Sequence, residues 1–154
     1  MAQFSNRRKS PKSGKTLGLD YSEVYNLIKE LERLDGDVKK TTEEALIKSQ
    51  KHITKNLHNE MKKHKQTGET EKSIVENPPV IWVGNMYAEI DVGFDISNGG
   101  LPSIFLMYGT PRAEKDQKLF NAIYGRKTQK EISEIQADIF FDAIGKAGVK
   151  WKNY

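Results

Sequence analysis

The chain has 154 residues, a net charge of +4 and a charged fraction of 30%. This length predicts one domain that can bury a core. The chain contains no Cys, which excludes disulfides and thiolate chemistry. No apolar run reaches the roughly 18 residues of a membrane span, and the basic N-terminus lacks the apolar segment of a signal peptide.

Residues 1–19 form a basic segment without apolar periodicity. The segment contains no acidic residue, and its basic residues are Arg7, Arg8, Lys9, Lys12 and Lys15. We predict a disordered or partner-ordered arm over 1–19, followed by a single domain over 20–154. Such an arm can neutralise nucleic-acid phosphates irrespective of base sequence. Composition alone is equally typical of a solubilising terminus.

A short helix is predicted after the arm. The segment Asp20-Tyr21-Ser22-Glu23 fits a capping-box variant. Apolar residues then recur at helical spacing, namely Val24, Leu27, Ile28, Leu31 and Leu34. Asp35-Gly36 is typical of a helix end.

The longest predicted helix covers about residues 38–65. A second capping box, Thr41-x-x-Glu44, lies near its start, and Thr67-Gly68 follows its end. Its apolar stripe is narrow and close to heptad spacing, with Leu46, Ile53, Leu57 and Met61. A single narrow stripe indicates a helix that lies across another surface, so these four residues are candidate interface residues.

The next region has the alternation of an antiparallel hairpin. Val80 to Val83 is a short apolar run, and Gly84-Asn85 is a suitable turn. From Met86 onward, apolar residues alternate with Tyr87, Glu89 and Asp91, which predicts a half-buried strand with a solvated polar face.

Three helical segments complete the chain: a short helix from Ser103 to Met107 ended by Gly109, an amphipathic segment from Lys115 to Tyr124, and a helix over about Thr128 to Lys146. The predicted fold class is α+β, with the long N-terminal helix and the C-terminal helix packed on a small antiparallel sheet. Most aromatic residues are expected in the core, and a few can serve as interface anchors.

No set of residues predicts catalysis. His52, His58 and His64 are six residues apart, which turns successive rings by about 240° around a helix, so they do not converge on one metal ion. Ser13-Gly14-Lys15-Thr16 ends like a phosphate loop, but Lys9 stands where that pattern needs Gly. We therefore predict a non-enzymatic protein without cofactor, metal or catalytic residues.

Several short motifs occur in an order that resembles a known family. They are the turns Thr67-Gly68 and Tyr108-Gly109-Thr110, Ser73, the following Pro111-Arg112, and the block LFNAIYGRKTQKEISEIQADIFFDAI over residues 119–144. This order is similar to the tail-component family of long-tailed double-stranded DNA phages. Members of that family sit at the head–tail junction or complete the tail.

The resemblance implies a structural virion protein for tail completion or head–tail joining, assembled in the host cytoplasm. It implies a homo-oligomeric ring, a hexamer, that docks to connector or neck proteins and to the tail tube or its terminator protein. Double-stranded DNA would pass the channel, and no membrane is involved. We expect the long helix and the sheet edge to supply the ring contact. The alternative is a small nucleic-acid-binding protein that acts through the basic arm with steep salt dependence.

Overall fold

A computed structural model describes residues 12–13, 16–18, 21–33, 37–64, 66–84 and 87–147. The helices are α1 (Tyr21–Arg33), α2 (Val38–Met61), α3 (Glu69–Lys72), α4 (Leu101–Tyr108), α5 (Gln117–Tyr124) and α6 (Arg126–Lys146). The strands are β1 (Lys12–Ser13), β2 (Thr16–Gly18), β3 (Ile81–Val83), β4 (Tyr87–Asp91) and β5 (Phe94–Asp95). Single 3-10 turns cover Lys62–His64 and Ile96–Asn98. The predicted α+β class is confirmed.

The start of α2 differs from the prediction. Asp37 is the N-cap, and its side chain accepts a hydrogen bond from the Lys40 amide at 2.9 Å. Thr41, predicted to begin a capping box, lies inside the helix and donates its hydroxyl to the Asp37 carbonyl at 2.9 Å. The Thr41 hydroxyl thus bonds back to a helix carbonyl, and the side chain that caps this end of the helix is Asp37. The first predicted cap, Asp20, and the turn residues Asp35, Gly36 and Asn85 lie outside the described residues.

The sheet contains the predicted hairpin and two additional strands. In the three-stranded sheet the order is β2-β4-β3, with Trp82 opposite Ala88 and Leu17 opposite Ile90. Strand β1 pairs with β5. Residues 12–13 and 16–18 thus belong to the folded domain, and the prediction that 1–19 is a separate arm is wrong for them. Arg7, Arg8, Lys9 and Lys15 lie outside the described residues.

The core surrounds α2, which packs against α5, α6 and β4. The predicted interface residues Leu46, Ile53, Leu57 and Met61 are at most 1% exposed and belong to this core. Their assignment to a docking stripe is therefore wrong. Ala45, Ser49 and Gln50 are buried beside them, which makes the inward face of α2 wider than its large apolar residues indicate.

The predicted polar face of β4 is also buried. Glu89 is 3% exposed and Asp91 is 8% exposed, although a solvated face was expected. Strand β4 is the central strand, so Glu89 has Gly18 on one side and Ile81 on the other. A two-stranded hairpin would have left more of these side chains open to water.

Among the described helices, none is long and apolar enough to cross a membrane.

Candidate assembly interface

Helix α4 presents an apolar face to solvent. Its sequence, LPSIFLMY, has no charged residue. Leu101, Phe105 and Tyr108 are 50%, 52% and 56% exposed, and their spacing of four and three residues places them on one side of the helix. The opposite side holds Ser103 and Met107, which are fully buried. Contiguous exposed apolar groups of this kind mark interaction surfaces.

The turn after α4 fixes the position of Tyr108. Gly109 has φ +78° and donates its amide to the Phe105 carbonyl at 2.9 Å. A Cβ at Gly109 would lie 3.0 Å from the Lys115 nitrogen and 3.1 Å from the Ala113 oxygen, so glycine is needed there for space as well as for backbone angle.

Thr110 closes the same turn. Its backbone exchanges two hydrogen bonds with Ala113, at 2.8 and 3.2 Å, and its hydroxyl accepts from the Ala113 amide at 3.1 Å. Pro111 and Arg112 are exposed at the tip of this loop. The Tyr-Gly-Thr motif is therefore part of a hydrogen-bonded turn between α4 and α5.

Aromatic rings extend the α4 face onto α5. The Tyr108 and Phe120 rings meet edge to face with centroids 5.8 Å apart, and Phe120 lies 4.9 Å from the Tyr124 ring. Burial, followed by a hydrogen bond with Tyr108, raises the pKa of the Tyr124 hydroxyl. The Lys115 ammonium lies 4.7 Å from the Phe120 ring centre. We call Leu101, Phe105, Tyr108 and Phe120 the α4 patch.

A second apolar surface lies at the edge of the sheet. Strand β3 is an edge strand among the described strands, and Ile81 and Val83 on it are 41% and 39% exposed. Trp82 points to the other side, where its indole donates to Glu43 at 2.7 Å. We call Ile81 and Val83 the β3 edge.

The two surfaces lie at opposite ends of α2. The β3 edge is held near the start of α2 through the Trp82–Glu43 bond. The α4 patch adjoins the end of α2, because Phe105 and Met61 line one depression of about 550 Å³. Glu43 and Met61 are about 27 Å apart along a helix that rises about 1.5 Å per residue. Thr67-Gly68 borders the same depression, so both motif turns lie next to the α4 patch.

Two histidines of α2, His52 and His58, and His64 in the 3-10 turn that follows it bond to carboxylates in other parts of the fold. His52 bonds Glu131 of α6 at 2.8 Å, and His64 bonds Asp116 before α5 at 2.6 Å. His58 contacts two carboxylates, Glu71 at 3.3 Å and Glu76 at 2.8 Å. They do not converge on one site, as predicted, and each is engaged by at least one carboxylate. No cluster of three or more potential metal-ligating side chains occurs within the described ranges.

The remaining site predictions fall on other parts of the molecule. Leu46, Ile53, Leu57 and Met61 lie in the core, and Ser13 and Thr16 of the incomplete phosphate motif lie in β1 and β2. The sequence allowed a few aromatic residues as interface anchors, but the outward face of α4 was not identified from it. The available signal was a helix of eight residues without any charge, which is apolar on both sides.

No protein-family model, curated protein or solved structure matches this chain significantly. The resemblance to phage tail components rests on the sequence motifs alone. Inference about function therefore depends on those motifs together with the surfaces described above.

Proposed function

We propose that this protein is a structural subunit of the phage head–tail interface, for tail completion or head–tail joining, that works as a ring without catalysing a reaction. The observation that carries the proposal is the pair of exposed apolar surfaces at opposite ends of α2. The order of the Thr67-Gly68 and Tyr108-Gly109-Thr110 motifs supplies the phage assignment.

A ring needs two different surfaces on each subunit. In a heterologous contact, one patch of a subunit meets another patch of the next, and the rotation between them closes the ring. Here the α4 patch of one copy meets the β3 edge of its neighbour. In this proposal the sheet edge contributes to the ring contact, as expected from the sequence. The apolar stripe of α2 does not contribute, because it lies in the core. The family resemblance implies six subunits.

The ring would dock to connector or neck proteins on one side and to the tail tube or its terminator protein on the other. Double-stranded DNA would pass through its channel. The protein would be found in virions at the head–tail junction after assembly in the host cytoplasm.

The ring contact is tested with two complementary variants, Phe105→Asp and Val83→Asp. Each change places a charge on one surface and leaves the other intact. By light scattering we expect the wild type to form oligomers, each variant alone to be monomeric, and an equimolar mixture to form heterodimers through the one intact pair of surfaces. Tyr25→Asp, at a residue 51% exposed on α1, is the control and should assemble as the wild type does. Oligomers of Phe105→Asp alone, or a mixture that stays monomeric, would contradict the contact.

The phage assignment is tested by quantitative mass spectrometry of purified particles from the source strain. A copy number near that of one or two rings, against an abundant tail-tube protein, is the expected result. Absence from particles would overturn the virion assignment and favour an assembly factor or the nucleic-acid-binding alternative.

A further inference from the structure

A row of lysines follows the outer face of α2. Lys48, Lys51 and Lys55 of α2 and Lys62 of the 3-10 turn that continues it are exposed, and their spacing places them along one side of the helix. The row extends over about 21 Å at about 1.5 Å per residue. Lys48 pairs with Glu44 at 3.0 Å, and the exposed Asn59 occupies the position between Lys55 and Lys62, so the row from Lys51 onward contains no carboxylate.

This arrangement is unfavourable for an isolated helix. Lys51 and Lys55 are four residues apart, where like charges destabilise a helix by a few tenths of a kcal/mol. Neither has a carboxylate partner among the described residues. Helix α6 shows the opposite pattern, since Lys130 pairs with Glu134 at 3.8 Å and Lys146 pairs with Asp142 at 2.7 Å. A helix face that is merely solvated usually mixes its charges as α6 does.

A second group of cations lies around a groove of about 450 Å³ that adjoins the row at Asn59. Lys118, Arg126 and Lys127 line it from α5 and α6, and His52 and Asn56 line it from α2. Both carboxylates that line the groove are engaged: Glu131 contacts His52 at 2.8 Å and Lys127 at 3.8 Å, and Glu60 pairs with Lys63 at 2.7 Å. The hydrogen bond from His52 is the main cause that lowers the pKa of the Glu131 carboxyl. The groove therefore offers cations and amide donors to an anionic ligand.

We propose that the lysine row and the adjoining groove bind the phosphate backbone of double-stranded DNA. Duplex DNA carries about one negative charge per 1.7 Å of axis, so a row of about 21 Å can contact several phosphates at once. Lysine ammonium groups act as point charges on phosphate and read no base edges, so the binding is independent of base sequence. This site differs from the basic arm and does not depend on the ring contact.

The test measures binding of the full-length chain to a fluorescent duplex of about 30 base pairs by anisotropy, at salt from about 50 to 200 mM. The test variant is Lys51→Gln/Lys55→Gln. The control, Lys29→Gln/Lys72→Gln, removes the same charge from exposed positions on α1 and α3. We expect the test variant to bind about tenfold more weakly, with the slope of log K against log salt reduced by about 2, because two phosphate contacts are lost. The control should stay within about twofold of the wild type.

Two results would overturn the inference: no binding by the wild type at the lowest salt, or equal losses in the two double variants. The second result would mean that net charge or the arm residues Arg7, Arg8 and Lys9 account for binding. Because the ring contact is measured separately by light scattering on Phe105→Asp and Val83→Asp, failure of either proposal can be recognised without the other.

Discussion

The Nε2 atom of His64 and the Oδ2 atom of Asp116 lie 2.6 Å apart and join the 3-10 turn that follows α2 to the start of α5. The other carboxylate oxygen, Oδ1, accepts from the amides of Lys118 and Leu119, both at 3.0 Å, and caps α5. A single side chain thereby fixes the helix that carries Phe120. Asp116 belongs to the framework that positions the α4 patch.

Substitutions at Asp116 should separate its two contributions. Asn retains an oxygen that can cap α5, whereas Ala removes both the cap and the contact with His64. Loss of a cap costs about 1 kcal/mol, so we expect Asp116→Ala to reduce the free energy of unfolding by clearly more than Asp116→Asn. Urea denaturation at neutral pH measures both values. Equal losses in the two variants would show that the charge, and not the cap, is what matters.

Asp116 should also contribute to stability in acid. Partial burial raises the pKa of its carboxyl, but the hydrogen bonds from His64 and the Leu119 amide and the charge of Lys63 outweigh burial and lower the pKa to about 2 from 3.8. A carboxyl whose pKa is lowered by folding stabilises the protein fully above its unfolded value. That contribution is lost as pH falls through about 2.

The expected result is that the stability difference between the wild type and Asp116→Asn shrinks between about pH 4 and pH 2. Denaturation curves at several pH values in that window measure it. A difference that is constant across the window would mean that the His64–Asp116 contact does not depend on the ionised carboxylate.

Gly109 and Gly145 should respond oppositely to alanine. Gly109 has φ +78° and backbone atoms 3.0 and 3.1 Å from the position of a Cβ, so Gly109→Ala should destabilise by about 1–3 kcal/mol. Gly145 lies in α6 with nothing within 4 Å of that position. Gly145→Ala should stabilise by about 0.4–1 kcal/mol. Thermal or urea unfolding of the two variants provides the comparison, and a shift of the same sign in both would contradict it.

Much of the fold could be predicted because local periodicity determines it. The recurrence of apolar residues predicted the positions of α1, α2 and α6, and Gly84 predicted the turn of the hairpin formed by β3 and β4. The pairing of β2 with β4 joins residues about 70 positions apart in the chain, and no local pattern encodes such contacts. That missing strand is also why Glu89 and Asp91 were expected in solvent.

The candidate site was harder to predict. A helix such as LPSIFLMY has apolar residues on both sides, and only the packing around Met107 decides that Phe105 faces outward. The converse holds on α2, where Ala45 and Ser49 widen the buried face without adding large apolar residues to the pattern. Small residues make a face easy to bury but are weak signals in a sequence.

Gln50 should be a stabilising polar residue of the core. It is 1% exposed, and its amide donates to the Val75 carbonyl at 2.9 Å and to the Thr54 hydroxyl at 2.8 Å. Gln50→Ala removes both hydrogen bonds and leaves the Val75 carbonyl the longer bond from the Thr54 hydroxyl at 3.4 Å, so it should cost about 1–3 kcal/mol. Gln117→Ala is the matched control, since that exposed side chain donates to the nearby Asn121 on the same helix, at 2.8 Å. Comparable losses in the two variants would argue against the buried bond between α2 and Val75.

Leu57 and Ile47 distinguish a core helix from a docking helix. Leu57 is fully buried on α2, and Ile47 on the same helix is 38% exposed. Leu57→Ala removes buried methyl groups and leaves a cavity, so we expect a loss of about 2–5 kcal/mol in the free energy of unfolding. Ile47→Ala should change it by about 0.5 kcal/mol or less. Both are measured by urea denaturation of dilute protein. If Leu57→Ala left stability unchanged and reduced only oligomer formation, the stripe on α2 would be a docking surface after all, and the placement of α2 at the centre of the core would be wrong.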